Sequence, residues 1–103
     1  MTRTREMMDK RIHQLKEELF QADKKGSLED FILNEENEIT YTKDLFDRFK
    51  GCQICITTGD VYLNINTVDM RFEGYYKGEH EFQKIKDFDL LDRIDEIVKK
   101  EIA

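Results

Sequence analysis

Two cysteines stand three positions apart, Cys52 and Cys55, within the stretch KGCQICITTGD. A C-x-x-C spacing occurs in zinc sites, which need four ligands, and in redox dithiols, which usually open a helix after a strand. The sequence has no second cysteine pair, and its two histidines, His13 and His80, are far apart. The alternation of apolar and polar residues here predicts a strand, on which residues three apart face opposite sides. We therefore expect Cys52 to face the core and Cys55 to face outward, with zinc and dithiol roles as alternatives.

Other side chains of the sequence could act as nucleophiles, acids or bases. Cys55 and His80 could approach each other across a sheet, and residues 79–81 and 87–89 loosely resemble metal-ligand spacing. Carboxylates are so numerous that some close pairs arise by chance, and there is no glycine-rich phosphate loop. We predict no catalytic residue, no metal and no cofactor, and therefore a protein that is not an enzyme. A small metal- or thiol-dependent enzyme is the alternative.

The composition predicts one folded domain with a heavily charged surface. The chain has 103 residues, of which 39% are hydrophobic and 39% charged, and its net charge is −6. This length favours a single domain covering residues 1–103. No apolar run approaches the roughly 18 residues that span a membrane, and the charged N-terminus is unlike a signal peptide, so we expect a cytoplasmic protein.

Helical patterns occupy both ends of the sequence. Residues 4–24 predict a helix whose apolar stripe is Met8, Ile12, Leu15, Leu19 and Ala22. This stripe either covers the chain's own core or pairs with a second copy in a homodimer. Ser27 is expected to cap a short second helix, and Thr42 a third at 43–50 that ends at Gly51. A last helix at 88–102 is capped by Asp87, with Phe88 and Ile102 at the two ends of its apolar stripe.

The middle of the sequence predicts an antiparallel meander, because apolar and polar residues alternate there with turns at Gly59-Asp60 and Lys77-Gly78. Ile39 and Tyr41 form a brief strand before it. The strands of the meander are predicted at 52–58, 61–66, 68–76 and, more weakly, 80–85. The expected fold is α+β: N-terminal helices, a three- to four-stranded antiparallel meander, and a C-terminal helix packed on one face.

One face of this meander is polar. Its residues are Gln53, Cys55, Thr57, Tyr62, Asn64, Asn66, Arg71, Glu73 and Tyr75. If no helix covers them, they form either a solvated surface or a protein-binding surface, since tyrosine and arginine make strong interface contacts. Direct binding of nucleic acid is not expected, because it needs clustered lysine and arginine.

Acidic side chains cluster before the meander and in the last helix. Such carboxylates can imitate a row of phosphates, and in size and charge the chain resembles small acidic phage inhibitors of host nucleases, anti-CRISPR proteins among them. We predict a small acidic protein-binding module, in one form an inhibitor of the DNA-mimic type, with a basic protein partner. The residues predicted to contact that partner are Glu35, Glu36, Glu38, Tyr62, Asn64, Arg71, Glu73, Tyr75, Asp89, Asp92 and Asp95.

Overall fold

A computed structural model describes residues 3–102, apart from the side chain of Thr58. Helices at both ends of these residues enclose a continuous run of strands. The elements are α1 Arg3–Lys24, α2 Leu28–Ile32, β1 Glu38–Lys43, β2 Phe49–Thr58, β3 Val61–Asn66, β4 Arg71–Tyr76, β5 Glu79–Lys84 and α3 Phe88–Glu101. None of the described helices is long and apolar enough to cross a membrane.

The strands form one antiparallel sheet in the order β1-β2-β3-β4-β5, so each strand pairs with its neighbours in sequence. The predicted turns join β2 to β3 and β4 to β5, where Gly59, Lys77 and Gly78 adopt left-handed φ angles. The predicted α+β architecture is confirmed. The sheet has five strands rather than three or four, because the brief strand at Ile39 and Tyr41 extends into β1 and pairs with β2.

α1 packs on the sheet through the predicted stripe, and all of its members are buried: Met8, Ile12, Leu15, Leu19 and Ala22. The helix contacts β3, β4 and β5. Ile12 approaches Gly74 of β4 so closely that a Cβ there would lie 3.3 Å from Ile12 Cδ1. The stripe thus covers the chain's own core, and a helix pair formed through these residues would require that core to open.

α3 begins at its predicted cap, where the carboxylate of Asp87 accepts the backbone N–H of Leu90 at 3.1 Å. Phe88 and Ile102 are exposed at the two ends of the expected stripe. The buried residues of α3 join the core under α1, and they are Leu90, Leu91, Ile94 and Val98.

The helices all lie on one face of the sheet, because their buried residues share one core with the inward side chains of β2, β3 and β4. Examples of those inward side chains are Ile54 of β2, Leu63 of β3 and Phe72 of β4, all of which are buried. Among residues 3–102, no element covers the opposite face, where Tyr62 and Tyr75 are exposed.

The predicted helix at 43–50 is wrong, since these residues form the end of β1, the turn of the β1–β2 hairpin and the start of β2. Asp44 organises the turn, because its Oδ1 accepts the N–H groups of Phe46 and Arg48 at 2.8 and 2.9 Å. Leu45 is 100% exposed and Phe46 is 76% exposed. Their spacing therefore imitates a helical stripe without forming one.

Two predicted helix boundaries change as a result. Thr42 lies in β1 and caps no helix, and Gly51 lies inside β2 rather than at a helix end. Ser27 precedes α2 as expected, but its hydroxyl donates to the carbonyl of Ala22 at 3.3 Å and makes no cap hydrogen bond.

The strand predicted at 68–76 is shorter than expected, since β4 starts only at Arg71. Residues 67–70 form a turn, in which the Asn66 side chain accepts the N–H of Asp69 at 2.9 Å. The strand was predicted too long because Val68 and Met70 alternate with polar residues as strand residues do. Both side chains are exposed in the turn.

We expect Leu45→Ser to leave the free energy of unfolding within about 0.5 kcal/mol of the parent value, as is usual at surface positions. Leu63→Ser is the matched control, because Leu63 is buried in β3. It should lose about 3 kcal/mol, since the change opens a cavity and buries a hydroxyl. Urea unfolding measures both variants. Equal losses would mean that Leu45 is packed on the core, as the helix prediction required.

Candidate functional site

The uncovered face of the sheet, called here the open face, consists of alternate side chains from all of the strands. The pairing register places them in rows that cross the sheet. One row is Thr57, Tyr62, Tyr75 and His80; the next is Glu38, Cys55, Asn64, Glu73 and Phe82; the third is Thr40, Gln53, Asn66, Arg71 and Lys84. All of the residues predicted for the polar face are in these rows.

The carboxylate of Glu73 lies at the centre of the open face, and the residue is only 3% exposed. Its Oε1 accepts a hydrogen bond from Asn64 at 2.7 Å, and its Oε2 accepts from Arg71 at 2.5 Å and from Asn66 at 3.3 Å. Burial by itself raises the pKa of Glu73, but the bonds from Asn64 and Arg71 and the Arg71 charge hold that pKa below its ordinary value. Glu73 is therefore an ionised, fixed acceptor and not a general acid near neutral pH.

An aromatic cluster borders this network on β4 and β5. The Arg71 guanidinium lies 3.9 Å from the centroid of the Phe82 ring. Phe82 stacks on His80 at 4.8 Å and meets Tyr75 edge-on at 6.2 Å. Burial and the Glu73 carboxylate raise the pKa of Tyr75, so its hydroxyl stays protonated. These contacts hold the guanidinium and the rings against one another.

Sequence reasoning missed Phe82 and His80 as members of this surface. The pattern of β5 is weak, since its residues alternate between charged, aromatic and polar types. Only the register shows that Phe82 lies opposite Glu73 and His80 opposite Tyr75. The position of Glu38 beside Cys55 likewise follows from the register of β1 on β2.

A depression of about 240 Å³ lies on the open face beside Glu73. Its floor and walls come from four strands, and its lining residues are Glu38, Thr40, Gln53, Cys55, Tyr62, Asn64, Glu73 and Tyr75. The volume is below the roughly 300–1,000 Å³ of most small-molecule sites. It suits a single inserted side chain better than a cofactor.

The structure divides the predicted contact residues into separate groups. Those on the open face are Glu38, Tyr62, Asn64, Arg71, Glu73 and Tyr75. Glu35 and Glu36 are exposed in the turn that leads into β1, close in sequence to Glu38. Asp89 and Asp92 are exposed on α3, which packs on the other face of the sheet, so they do not join the open face.

Asp95 differs from its neighbours on α3, because it faces the sheet. Its Oδ1 accepts a hydrogen bond from the Thr67 hydroxyl at 2.6 Å and from the Cys52 thiol at 3.5 Å. Burial raises the pKa of Asp95, and these two hydrogen bonds offset only part of that effect. A charge reversal at this position would disturb the core, so loss of partner binding in such a variant would not identify a contact.

We expect Asp95→Asn to be at least as stable as the parent at pH 7, because an amide can still accept from Thr67 and carries no buried charge. The raised pKa means that the folded parent binds its proton more readily than the unfolded chain. The free energy of unfolding of the parent should therefore rise relative to that of the variant as pH falls from 7 to about 4. Urea unfolding across this range checks the trend, with the exposed Asp92→Asn as control. If the stability of Asp95→Asn relative to the parent increased as pH fell, the raised pKa of Asp95 would be contradicted.

The two cysteines occupy opposite faces of β2, as expected. Cys52 is buried, and burial raises its pKa to about 12. Cys55 lies on the open face, where burial and the negative charge of Glu38 raise its pKa. Neither thiol is therefore activated as a thiolate nucleophile. His80 lies three strands from Cys55, roughly 14 Å away at the usual strand spacing, which is too far for a catalytic pair.

Metal ligation is not supported by the positions of the candidate side chains. Strand alternation places His80 on the open face and Glu79 and Glu81 on the other. Within residues 3–102, no group of three or more histidine, cysteine, aspartate or glutamate side chains could hold a metal ion.

Comparison of the chain with protein-family models, curated proteins and solved structures found no match.

Proposed function

We propose that this chain is a protein-binding module and that its contact surface is the open face of the sheet. The observation that carries the proposal is the arrangement around Glu73, where a buried carboxylate, two asparagines and an arginine are bonded to one another beneath exposed tyrosines. Tyrosine and arginine are among the residue types that contribute most to protein interfaces.

The fixed geometry of the surface supports this proposal. Tyr62 and Tyr75 are 55% and 39% exposed and lie directly opposite each other on β3 and β4. Arg71 is held by Glu73 and by the Phe82 ring. Side chains that are ordered before binding lose less conformational entropy in the complex, which favours affinity. A purely solvated face would not need a polar network at its centre in which Asn64, Asn66 and Glu73 are buried.

The expected partner is basic at the point of contact. The chain carries a net charge of −6, Glu38 lies on the open face, and the exposed Glu35 and Glu36 precede it in the turn that leads into β1. Opposite charge steers association and makes its rate depend on salt. An inhibitor that covers the basic groove of a nucleic-acid-binding protein is the most specific form of this proposal, with the open face as its contact surface.

Enzymatic and dimeric functions have less support. Both thiols have raised pKa values and Glu73 has a lowered one, so none of these three side chains is poised for proton transfer near neutral pH. The α1 stripe that would form a homodimer is buried in the core.

Affinity capture from the native host tests the proposal. The bait proteins are the parent, the double variant Tyr62→Ala/Tyr75→Ala, and the control Phe46→Ala/Phe88→Ala, which removes two exposed rings elsewhere. We expect the tyrosine variant to lose about tenfold or more of the captured partner, since central interface tyrosines often contribute about 2 kcal/mol. The control should retain the partner, and thermal unfolding should show both variants folded. Retention by the tyrosine variant together with loss by the control would overturn the proposal.

A further inference from the structure

The helical side of the domain carries a second surface feature, an open groove of about 440 Å³ between the C-terminal end of α1, α2 and α3. Its lining residues are Asp23, Gly26, Leu28, Glu29, Asp92, Arg93, Glu96 and Ile97. This groove is separate from the open face, because α3 and α2 pack on the other side of the sheet. It lies on none of the elements that form the Glu73 network.

The floor of the groove is apolar. Leu28 belongs to the core, and Ile97 is a partly buried residue packed against it. Gly26 adds open space rather than a side chain, since a Cβ built there would meet no atom within 4 Å. Leu28 is only 6% exposed, so the partly buried Ile97 supplies most of the apolar surface that another apolar side chain could cover, and covering it is favourable.

An ion pair joins two helices at one wall of the groove. Arg93 on α3 donates to both carboxylate oxygens of Asp23 on α1, at 2.9 and 2.6 Å. This two-point ion pair neutralises Asp23 and joins the two helices at the edge of the groove. The groove is therefore a preformed feature of the folded domain, and the Arg93 charge is already satisfied by Asp23.

The remaining charged side chains of the rim are acidic. They are Glu29 on α2 and Asp92 and Glu96 on α3, and none of the three forms an ion pair with another of residues 3–102. Asp92 and Glu96 are four residues apart on α3 and so lie on the same side of that helix. The groove thus combines an apolar floor with a rim that carries three uncompensated negative charges.

We infer that this groove binds a short segment of a protein partner in which leucine-like side chains are flanked by lysine or arginine. The apolar side chains would cover Leu28 and Ile97, and the flanking cations would meet Glu29, Asp92 and Glu96. This is the mode by which amphipathic helices enter grooves, with apolar anchors on one face and charges beside them. Asp92, predicted as a contact residue from the sequence, takes part here and not on the open face.

The proposed occupant is a separate protein and not a second copy of the chain. Among residues 3–102 the most exposed apolar side chains are Leu45 and Phe46, and the flanking Asp44 and Asp47 are ion-paired with Arg48 and Lys43. Residues 43–48 therefore carry no net charge and complement the acidic rim less well than a segment flanked by lysine or arginine does. With the open face on the other side of the sheet, one molecule presents two sites that face in different directions, as an adaptor between two partners would.

A binding experiment with defined peptides tests the inference. The probe is the peptide acetyl-KLAKKLAKKL-amide, titrated into the isotopically labelled protein and followed by the backbone amide signals. We expect saturable shifts concentrated at residues 26–29 and 92–97, and weaker binding as salt is raised. The charge-inverted peptide acetyl-ELAEELAEEL-amide and the apolar-deleted peptide acetyl-KSAKKSAKKS-amide should each bind at least about tenfold more weakly.

Paired variants locate the site. Asp92→Asn/Glu96→Gln should weaken binding of the basic peptide about fivefold, because each exposed charge pair contributes modestly. Asp89→Asn/Glu101→Gln removes the same charge from the same helix outside the groove and should leave the affinity within about twofold. No binding, shifts spread over all acidic surfaces, or equal weakening by the two variants would overturn the inference. Such a result leaves the open-face proposal standing, since the capture experiment does not depend on these residues.

Discussion

Glu73→Ala should lower the free energy of unfolding by about 2 kcal/mol, because it removes the common acceptor of a buried network. Asn64 and Asn66 each keep one other partner, Gln53 and Asp69. Arg71 loses its closest carboxylate but stays partly exposed to water. The loss is therefore smaller than for a fully buried ion pair. Glu36→Ala is the matched control, since Glu36 is exposed in the turn before β1.

The loss caused by Glu73→Ala should also depend on pH. The pKa of Glu73 is lowered in the folded state, so the folded carboxylate releases its proton more readily than the unfolded one. Its stabilising contribution is complete above the unfolded value of about 4.3 and disappears as pH falls through the lower folded value. The gap between parent and variant should therefore shrink between about pH 6 and pH 3. Denaturant unfolding at several pH values measures the gap, and a gap that stayed constant would show that Glu73 is not held as a carboxylate.

Gly51→Ala should be the more damaging change, with a loss of about 3 kcal/mol from backbone strain and overpacking together. Gly51 has a φ of +157°, and a Cβ there would lie 2.7 Å from Val68 Cγ2 and 2.9 Å from Thr67 Oγ1. Thr67 cannot move freely, because its hydroxyl accepts the N–H of Cys52 at 2.8 Å and donates to Asp95 at 2.6 Å. The substitution therefore disturbs the bonds that hold α3 to β2.

Gly59→Ala provides the control for Gly51. Gly59 has a φ of +63°, but a Cβ at this position would meet no atom within 4 Å, so alanine there costs only backbone strain, about 1 kcal/mol. Thermal or urea unfolding compares the two variants. If Gly51 merely ended a helix, the two losses would be similar, and that result would contradict its position inside β2.

The long helices and the central strands could be predicted from the sequence because each has one dominant period. The stripe from Met8 to Ala22 and the alternation of Val61, Leu63 and Ile65 both match the buried residues of the structure. The segment 43–50 could not, because Leu45 and Phe46 follow helical spacing while Asp44 bonds the backbone into a turn. Periodicity records which side chains are apolar, and it does not show whether anything covers them.

The candidate site was predictable only in part for a related reason. Alternation assigns Tyr62 and Asn64 of β3 and Glu73 of β4 to the polar face, and the register of the two strands agrees with that assignment. It does not show which strands are neighbours, so the place of Phe82 depends on the pairing of β5 with β4. In the sequence Asp95 resembles the surface charges around it, because its inward contact with Thr67 depends on how α3 sits on the sheet.

Site-specific photo-crosslinking in the native host tests the central claim most directly. A benzophenone amino acid replaces Tyr62 on the open face in one variant and His13 on the exposed side of α1 in another. The account predicts a discrete covalent adduct with a protein partner from position 62 and none from position 13. An adduct from position 13 with none from position 62 would contradict it, because the partner would then contact a part of α1 outside the groove and not the open face.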